Sequence, residues 1–130
     1  MTEFLDKKTY VKQAEDVVSK LKRDKNNNIR VSSSQLRNML SLINELYNAV
    51  LYNKSEKLSD DIQSHAQYIK MKIAYAVGRD SREGYVKDFV ERSKIMDYID
   101  MIGDSRERLM TVCHYMESLV AYHKFMGGKD

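Results

Sequence analysis

The chain has 130 residues, five glycines and no proline, a composition that favours long uninterrupted helices. Its 22 basic and 19 acidic side chains leave a net charge of only +3, so any contact with nucleic acid must come from a local patch. The single cysteine excludes an intramolecular disulfide, and no apolar run reaches the ~20 residues that a membrane span needs. We therefore expect a cytoplasmic protein, without a membrane partner, whose residues 1–130 form one all-α domain.

Five helices are predicted, and the first two are marked by an apolar stripe and a strong start signal. Apolar residues at helical spacing predict the first helix over residues 9–23. The asparagine-rich segment that follows predicts a loop. Ser32 and Gln35 have the spacing of a capping box, so we expect the second helix to begin there and to end near Asn53.

The third and fourth helices differ in how widely their apolar residues spread. The third is predicted from about Ser59 to Gly78, with acidic residues in its first turn. The fourth is predicted over residues 82–102 and carries apolar residues on several sides, which indicates burial on more than one side. The short connections favour a bundle of antiparallel helices.

The last helix carries two apolar faces. It is predicted to begin at a capping box of Asp104 and Glu107 and to end at Gly127 and Gly128. One stripe follows helical spacing and consists of Met116, Leu119, Val120 and His123. A second face carries Tyr115, Tyr122 and Phe125. Two apolar faces indicate a helix that is either central to its own bundle or pressed against a partner.

The residues that could support catalysis are few and scattered. Cys113 shares the apolar stripe of the last helix and is expected to be a small buried hydrophobe. His114 points about 100° away from it on a helix, and His123 is expected to be a core histidine. His65 has no partner at metal-ligand spacing. We therefore expect no enzyme, no metal and no cofactor.

One enzymatic pattern remains as an alternative. Arg108 and His114 have the spacing of the Arg-x(4–6)-His signature, which resembles HEPN-type ribonucleases. In that family a small polar residue or a histidine usually follows the arginine, whereas Leu109 follows it here, on the apolar stripe. The pattern is short and arises easily by chance in a charged helix.

Arg37 is the first candidate for a contact with phosphate. It lies on a face of the second helix that is polar and nearly free of acid, with Ser34, Ser41 and Asn44 as possible hydrogen-bonding groups. The alternative is a solvated face without a ligand, and the residues alone favour that alternative.

A second stripe on the third helix mixes aromatic rings with cations. Tyr68, Lys72, Tyr75 and Arg79 follow each other at i, i+4, i+7 and i+11. Proteins that bind single strands use this combination. The alternative is that the tyrosines border the core while the cations extend into solvent.

Three further basic residues complete the candidates. Arg82 lies near the start of the fourth helix, whose first backbone amides favour an anion. Lys54 lies in the loop after the second helix. Lys70 is on the third helix but out of phase with the stripe that contains Lys72.

Three blocks in register carry a resemblance to a known family. They are residues 33–37 (SSQLR), 75–79 (YAVGR) with 86–89 (VKDF), and 115–117 (YME) with 119–124 (LVAYHK) and 127–129 (GGK). Together they cover roughly residues 29–130, and they resemble the small subunit of type III-A CRISPR effector complexes, the Csm complexes. The chain departs from that pattern at His114, where a basic residue is common, and at Met126, where an aromatic residue is common.

The resemblance implies a non-catalytic small subunit of an RNA-guided interference complex. Several copies would line the filament beside other subunits, and hold the duplex of target RNA and crRNA by backbone contacts that do not read sequence. The basic residues that would make these contacts are Arg37, Lys54, Lys70, Lys72, Arg79 and Arg82. Besides the ribonuclease, a helical adaptor that touches only proteins remains an alternative.

Overall fold

The computed structural model describes residues 2–52, 54–80 and 82–130, and this part of the chain contains six α-helices and no β-strand. The helices are α1 (Tyr10–Ser19), α2 (Ser33–Val50), α3 (Asp60–Arg79), α4 (Tyr85–Ser93), α5 (Ile95–Met101) and α6 (Arg106–Phe125). The all-α prediction is confirmed, and buried side chains from all six helices form one core. No helix in these ranges is long and apolar enough to cross a membrane.

The first helix is shorter than its apolar stripe predicts. It ends at Ser19 instead of residue 23, because the following segment turns back on itself through an antiparallel bridge between Arg23 and Ile29. The Asp24 carboxylate holds that turn by accepting hydrogen bonds from the backbone amides of Asn26 (2.8 Å) and Asn28 (2.9 Å). An asparagine-rich turn therefore replaces the last helical turn.

The start of α2 is the predicted capping box. The Ser32 hydroxyl accepts a hydrogen bond from the Gln35 amide at 3.1 Å, and the Gln35 side chain accepts one from the Ser32 amide at 2.9 Å. The helix ends at Val50, three residues before the predicted end at Asn53, a residue that lies outside the described ranges. The start is set by local contacts, so the sequence alone reveals it.

The third helix also begins where the sequence predicts. The Ser59 hydroxyl accepts from the Ile62 amide at 3.2 Å, and Asp60 and Asp61 occupy the first turn. At its other end the helix passes through Gly78 and stops at Arg79. The predicted end at Gly78 is therefore one residue short.

The predicted fourth helix is in fact two helices, α4 and α5, separated at Lys94. Lys94 adopts a left-handed backbone conformation with φ of 58°. The Ser93 hydroxyl accepts from the Ile95 amide at 3.3 Å, and the Ser93 carbonyl accepts from the Tyr115 hydroxyl of α6 at 2.9 Å. The left-handed Lys94 interrupts the helix ladder, and the bond from a distant side chain to the Ser93 carbonyl stabilises the break.

Ser105, not Asp104, caps the start of α6. The Ser105 hydroxyl accepts from the Arg108 amide at 3.1 Å. The backbone carbonyl of Asp104 instead accepts from the Leu58 amide at 2.8 Å, which ties the α2–α3 loop to this point. The predicted capping box of Asp104 and Glu107 is therefore wrong by one residue.

The other end of α6 has the predicted glycine cap. Gly127 has φ of +90°, a conformation that glycine adopts without strain. The Gly127 amide donates to the Lys124 carbonyl at 3.1 Å, and the Gly128 amide donates to the His123 carbonyl at 2.7 Å. These two bonds form a Schellman motif.

The last helix is central to the bundle and packs mainly against α1 and α2. Tyr115, on its second apolar face, is fully buried and meets the ring of Tyr98 edge to face at 5.5 Å. Tyr122 is partly buried against the core, whereas Phe125 is 80% exposed. The second face is therefore internal along most of its length and reaches solvent only at its end.

The segment after α6 folds back onto the start of α2. His123 is buried, and its Nε2 lies 2.7 Å from the Val31 carbonyl while Nδ1 lies 3.4 Å from the Ser33 hydroxyl. The Ser33 amide donates to the Lys129 carbonyl at 2.9 Å. Gly128 covers the imidazole so closely that a Cβ atom there would lie 2.0 Å from the His123 Cε1 atom. His123 is thus a hydrogen-bonded core residue, as predicted.

Candidate nucleic-acid interface

The outward face of α3 carries large exposed side chains. Ala66, Ile69 and Ile73 bury the inner face of this helix in the core. On the opposite side Tyr68 is 50% exposed and Tyr75 is 67% exposed. The tyrosines therefore do more than border the core, which was the alternative interpretation of this stripe.

The cations of the same face lie over the aromatic rings. The Lys72 ammonium is 4.9 Å from the centroid of the Tyr68 ring, and the Arg79 guanidinium carbon is 5.9 Å from that of Tyr75. Such contacts hold a long side chain near a ring without neutralising its charge. Within the described part of the chain, neither cation has a carboxylate within ion-pair distance. Both positive charges remain available to a phosphate.

Arg82 continues this set of cations beyond the end of α3. It is exposed, and it follows Arg79 by three residues in the connection to α4. The expected role of the first α4 amides is corrected by the structure, because Asp80 already supplies an anion there. Its carboxylate accepts from the Val86 amide at 2.8 Å. We call Lys72, Arg79 and Arg82 the α3 cation face.

Lys70 lies on a different side of α3. Its ammonium is 2.7 Å from the Asp100 carboxylate, to which the Gln67 side chain also donates at 3.3 Å. The pair joins α3 to α5, and the Lys70 side chain is only 30% exposed. The structure therefore separates Lys70 from the α3 cation face and gives it a partner within the chain.

Arg37 projects from the first turns of α2 and is paired with the segment after α6. Its guanidinium lies 3.1 Å from the Asp130 carboxylate, and both side chains are more than half exposed. An exposed pair of this kind contributes roughly 0–1 kcal/mol, so a phosphate can compete with Asp130 for the guanidinium. Ser34 and Ser41 are exposed on the same helix, as predicted.

Lys54 lies beyond the opposite end of α2, away from Arg37. It lines an open cleft of about 890 Å³ whose cations also include Lys7, Lys57 and Arg106. Glu107 lines the same cleft and forms an ion pair with the Lys7 ammonium. Sequence reasoning missed Lys7 and Arg106, because only the folded chain brings the N-terminal segment against α6.

The side chains suited to catalysis do not converge. Arg108 donates to the Met101 carbonyl at 2.8 Å and lies 4.7 Å from the Phe4 ring centroid. His114 instead faces α2, where its ring centroid is 6.2 Å from that of Tyr47. The two members of the ribonuclease-like pattern thus point to different neighbours.

Cys113 has the environment of a structural thiol. It is fully buried, and its Sγ lies 3.8 Å from the Ile43 carbonyl. Desolvation raises the pKa of Cys113 to about 12, so the nucleophilic thiolate is disfavoured. Among the described residues, no group of three or more His, Cys, Asp or Glu side chains is placed to hold a metal ion.

Comparison with known proteins shows which family the chain resembles. The family model described as Csm2 Type III-A matches residues 5–129. The CRISPR system Cms protein Csm2 of Streptococcus thermophilus is 39% identical over 127 residues, with 98% of each chain covered. The Mycobacterium tuberculosis protein of the same name is 37% identical over 121 residues, covering 93% of this chain and 94% of that protein.

A third relative extends the comparison. The CRISPR system Cms protein Csm2 of Enterococcus italicus is 34% identical over 122 residues, covering 86% of this chain and 85% of that protein. The chain therefore belongs to the Csm2 family and is a small subunit of a type III-A CRISPR complex.

Proposed function

We propose that this subunit holds the duplex of target RNA and crRNA through sequence-independent contacts from the α3 cation face. The observation that carries the proposal is the pair formed by Lys72 and Arg79. Both project from the outward side of one helix, both lie over tyrosine rings, and neither has a carboxylate partner in the described ranges. Arg82 extends the same set of charges.

The side chains of this face are better suited to contact the RNA backbone than the RNA bases. Lysine and arginine donate hydrogen bonds and charge to phosphate oxygens, which carry no sequence information. The cations project from the exposed side of the helix, where they can reach a phosphate. In this proposal sequence specificity comes from pairing with the guide, and the subunit contributes affinity and position.

The other three candidate basic residues are expected to contribute less to RNA binding than the α3 cation face. Arg37 contributes a further phosphate contact when the nucleic acid displaces Asp130, and Lys54 contributes one from the cleft at the other end of α2. Lys70 ranks last, because Asp100 already neutralises it. The proposed partners are the two RNA strands, other subunits of the complex and further copies of this chain, in the cytoplasm and without a cofactor.

We further propose that the subunit itself cuts nothing. The separated orientations of Arg108 and His114 support this view, because a general acid or base must lie within hydrogen-bond reach of its reaction partner. Cleavage would then belong to neighbouring subunits. Incubating the purified subunit with labelled RNA tests this. RNA cleavage by the parent subunit that disappears in the His114→Ala variant would overturn it.

The experiment that tests the RNA role replaces the three cations of the α3 cation face with alanine. The reconstituted complex is loaded with two unrelated guides, and its affinity for each matching target is measured. We expect both affinities to fall by a similar factor, since phosphate contacts are independent of sequence.

A matched control removes the same charge elsewhere. Lys12, Lys25 and Lys87 are exposed and lie on α1, the α1–α2 loop and α4, and their joint replacement by alanine should leave the affinities near those of the parent. Unchanged affinity in the α3 variant would refute the proposal. If that variant lost affinity because it failed to assemble with other subunits, the surface would be that of a protein adaptor.

A further inference from the structure

We infer that Tyr75 is a stacking platform for a base of the bound RNA at a position where that base is not paired in the duplex. The inference rests on the proposed function and adds a residue that is not itself charged. Tyr75 is 67% exposed on the outward face of α3. An aromatic ring in that position keeps most of its apolar surface in contact with water, so it can offer that surface to a partner outside the chain.

The two tyrosines of this face differ in what already covers them. The Tyr68 ring is stacked against His65, with centroids 6.2 Å apart and planes at 27°, and it also lies 4.9 Å from the Lys72 ammonium. Among the described residues the Tyr75 ring has one such contact, with the Arg79 guanidinium at 5.9 Å, which is near the outer limit for a cation–π contact. Tyr75 therefore has more ring surface available to a partner than Tyr68 has.

The position of Tyr75 between two cations favours a nucleic-acid strand as the occupant. Tyr75 lies three residues after Lys72 and four before Arg79, which places it ~4.5 Å and ~6 Å from them along the helix axis. A strand whose phosphates contact both cations would pass directly over the ring. Alternation of cations and aromatic rings is the arrangement by which proteins hold unpaired bases without reading their identity.

A second copy of this chain suits the same surface less well. In a two-fold interface this face would meet itself, so Lys72 and Arg79 of one copy would approach the same cations of the other. The apolar part consists of Tyr68, Met71 and Tyr75, interrupted by the cations, and stable protein interfaces need a larger continuous core. The positive charge of this surface therefore favours RNA, and not a second copy of the chain, as the occupant.

The test uses two substitutions at Tyr75 in the reconstituted complex. Tyr75→Phe keeps the ring and Tyr75→Leu removes it while keeping an apolar side chain. The probe is target RNA with the fluorescent base 2-aminopurine placed at one position after another along the strand, because stacking quenches its emission. Tyr52→Leu is the matched control, since Tyr52 is 91% exposed just beyond the end of α2.

We expect quenching at one or more positions in the parent complex, its retention in Tyr75→Phe and its loss in Tyr75→Leu. Stacking is worth ~1–3 kcal/mol for each base, so affinity should fall roughly 5- to 150-fold in Tyr75→Leu. Tyr52→Leu should resemble the parent in both measurements.

Three other outcomes would overturn the inference, and they separate it from the proposed function. Unchanged quenching and affinity in Tyr75→Leu, with weakened binding in the variant lacking the α3 cation face, would remove the stacking role alone. Unchanged binding in both variants would remove both. Loss of copies of the subunit from the Tyr75→Leu complex, seen by native mass spectrometry, would show that the face contacts protein.

Discussion

The helices α3 and α6 have equal length and opposite surroundings. Each has twenty residues, yet α6 buries eight of them and α3 only three. The polar groups of α6 are satisfied within the chain, as the Tyr115 hydroxyl and the His123 imidazole show. The comparison shows that α6 is largely internal to the bundle, whereas one side of α3 remains exposed to solvent.

The largest expected effect comes from removing a core side chain of α6. Leu119 is fully buried, so Leu119→Ala should lower the free energy of unfolding by roughly 2–5 kcal/mol. On α3, Met71→Ala should change stability by less than about 0.5 kcal/mol, because Met71 is 53% exposed. Thermal melts of the two variants compare the helices directly, and equal losses would contradict the distinction.

Two glycines sharpen the comparison. Gly128→Ala would place a methyl group against the buried imidazole of His123, and overpacking of this kind costs roughly 1–3 kcal/mol. Gly78→Ala on α3 meets nothing within 4 Å, so it should stabilise that helix by roughly 0.5–1 kcal/mol. Chemical denaturation measures both, and a neutral Gly128→Ala would show that the segment after α6 is not packed as described.

A pair of tyrosines offers a smaller contrast. Tyr115→Phe removes the hydroxyl that bonds the Ser93 carbonyl, and we expect a loss of roughly 1–2 kcal/mol because a buried acceptor is left without its donor. Tyr75→Phe should leave the free energy of unfolding unchanged, since that hydroxyl is in solvent. Denaturation curves of the two variants would disprove this account if they shifted alike.

The smallest expected effect is a dependence of stability on pH. Desolvation lowers the pKa of His123 below its ordinary value of 6.5, opposed in part by the hydrogen bond to Val31. Near pH 6.5 the His123 imidazole therefore binds a proton in the unfolded chain but not in the folded chain. This contribution to stability is complete above pH 6.5 and is lost as the pH falls below it.

Melts between pH 7.5 and 5.5 measure this effect. The parent should lose stability across that interval, and His123→Gln should lose less of it, although the variant starts from a lower value. His65→Gln serves as the control, because His65 is only partly buried at the surface of α3. An identical slope in the parent and in His123→Gln would exclude the histidine as the cause.

The features that the sequence predicts correctly depend on neighbours in the chain. The capping box of Ser32 and Gln35, the cap at Ser59 and the left-handed Gly127 each arise from residues a few positions apart. The break at Lys94 could not be predicted in this way, because the Tyr115 hydroxyl that bonds the Ser93 carbonyl comes from a residue 22 positions later. Long-range bonds therefore decide what local patterns leave open.

The same limit applies to the candidate interface. Helical spacing places Tyr68, Lys72, Tyr75 and Arg79 on one face, and the structure agrees. Spacing cannot show that Lys70 is paired with Asp100, or that Arg37 is paired with Asp130, 93 positions away. A list of basic residues from sequence becomes a ranked list only when the carboxylates that approach them are known.

The most direct test of the account is the salt dependence of RNA affinity in the reconstituted complex. A cation that binds a phosphate releases counterions from the RNA, so replacing that cation flattens the plot of log affinity against log salt by about 1 for each phosphate it had neutralised. We expect a shallower slope when Lys72, Arg79 and Arg82 are replaced by alanine, and the parent slope in the Lys12, Lys25 and Lys87 control. Parallel lines for the parent and the α3 variant would contradict the central claim that this face holds the RNA backbone.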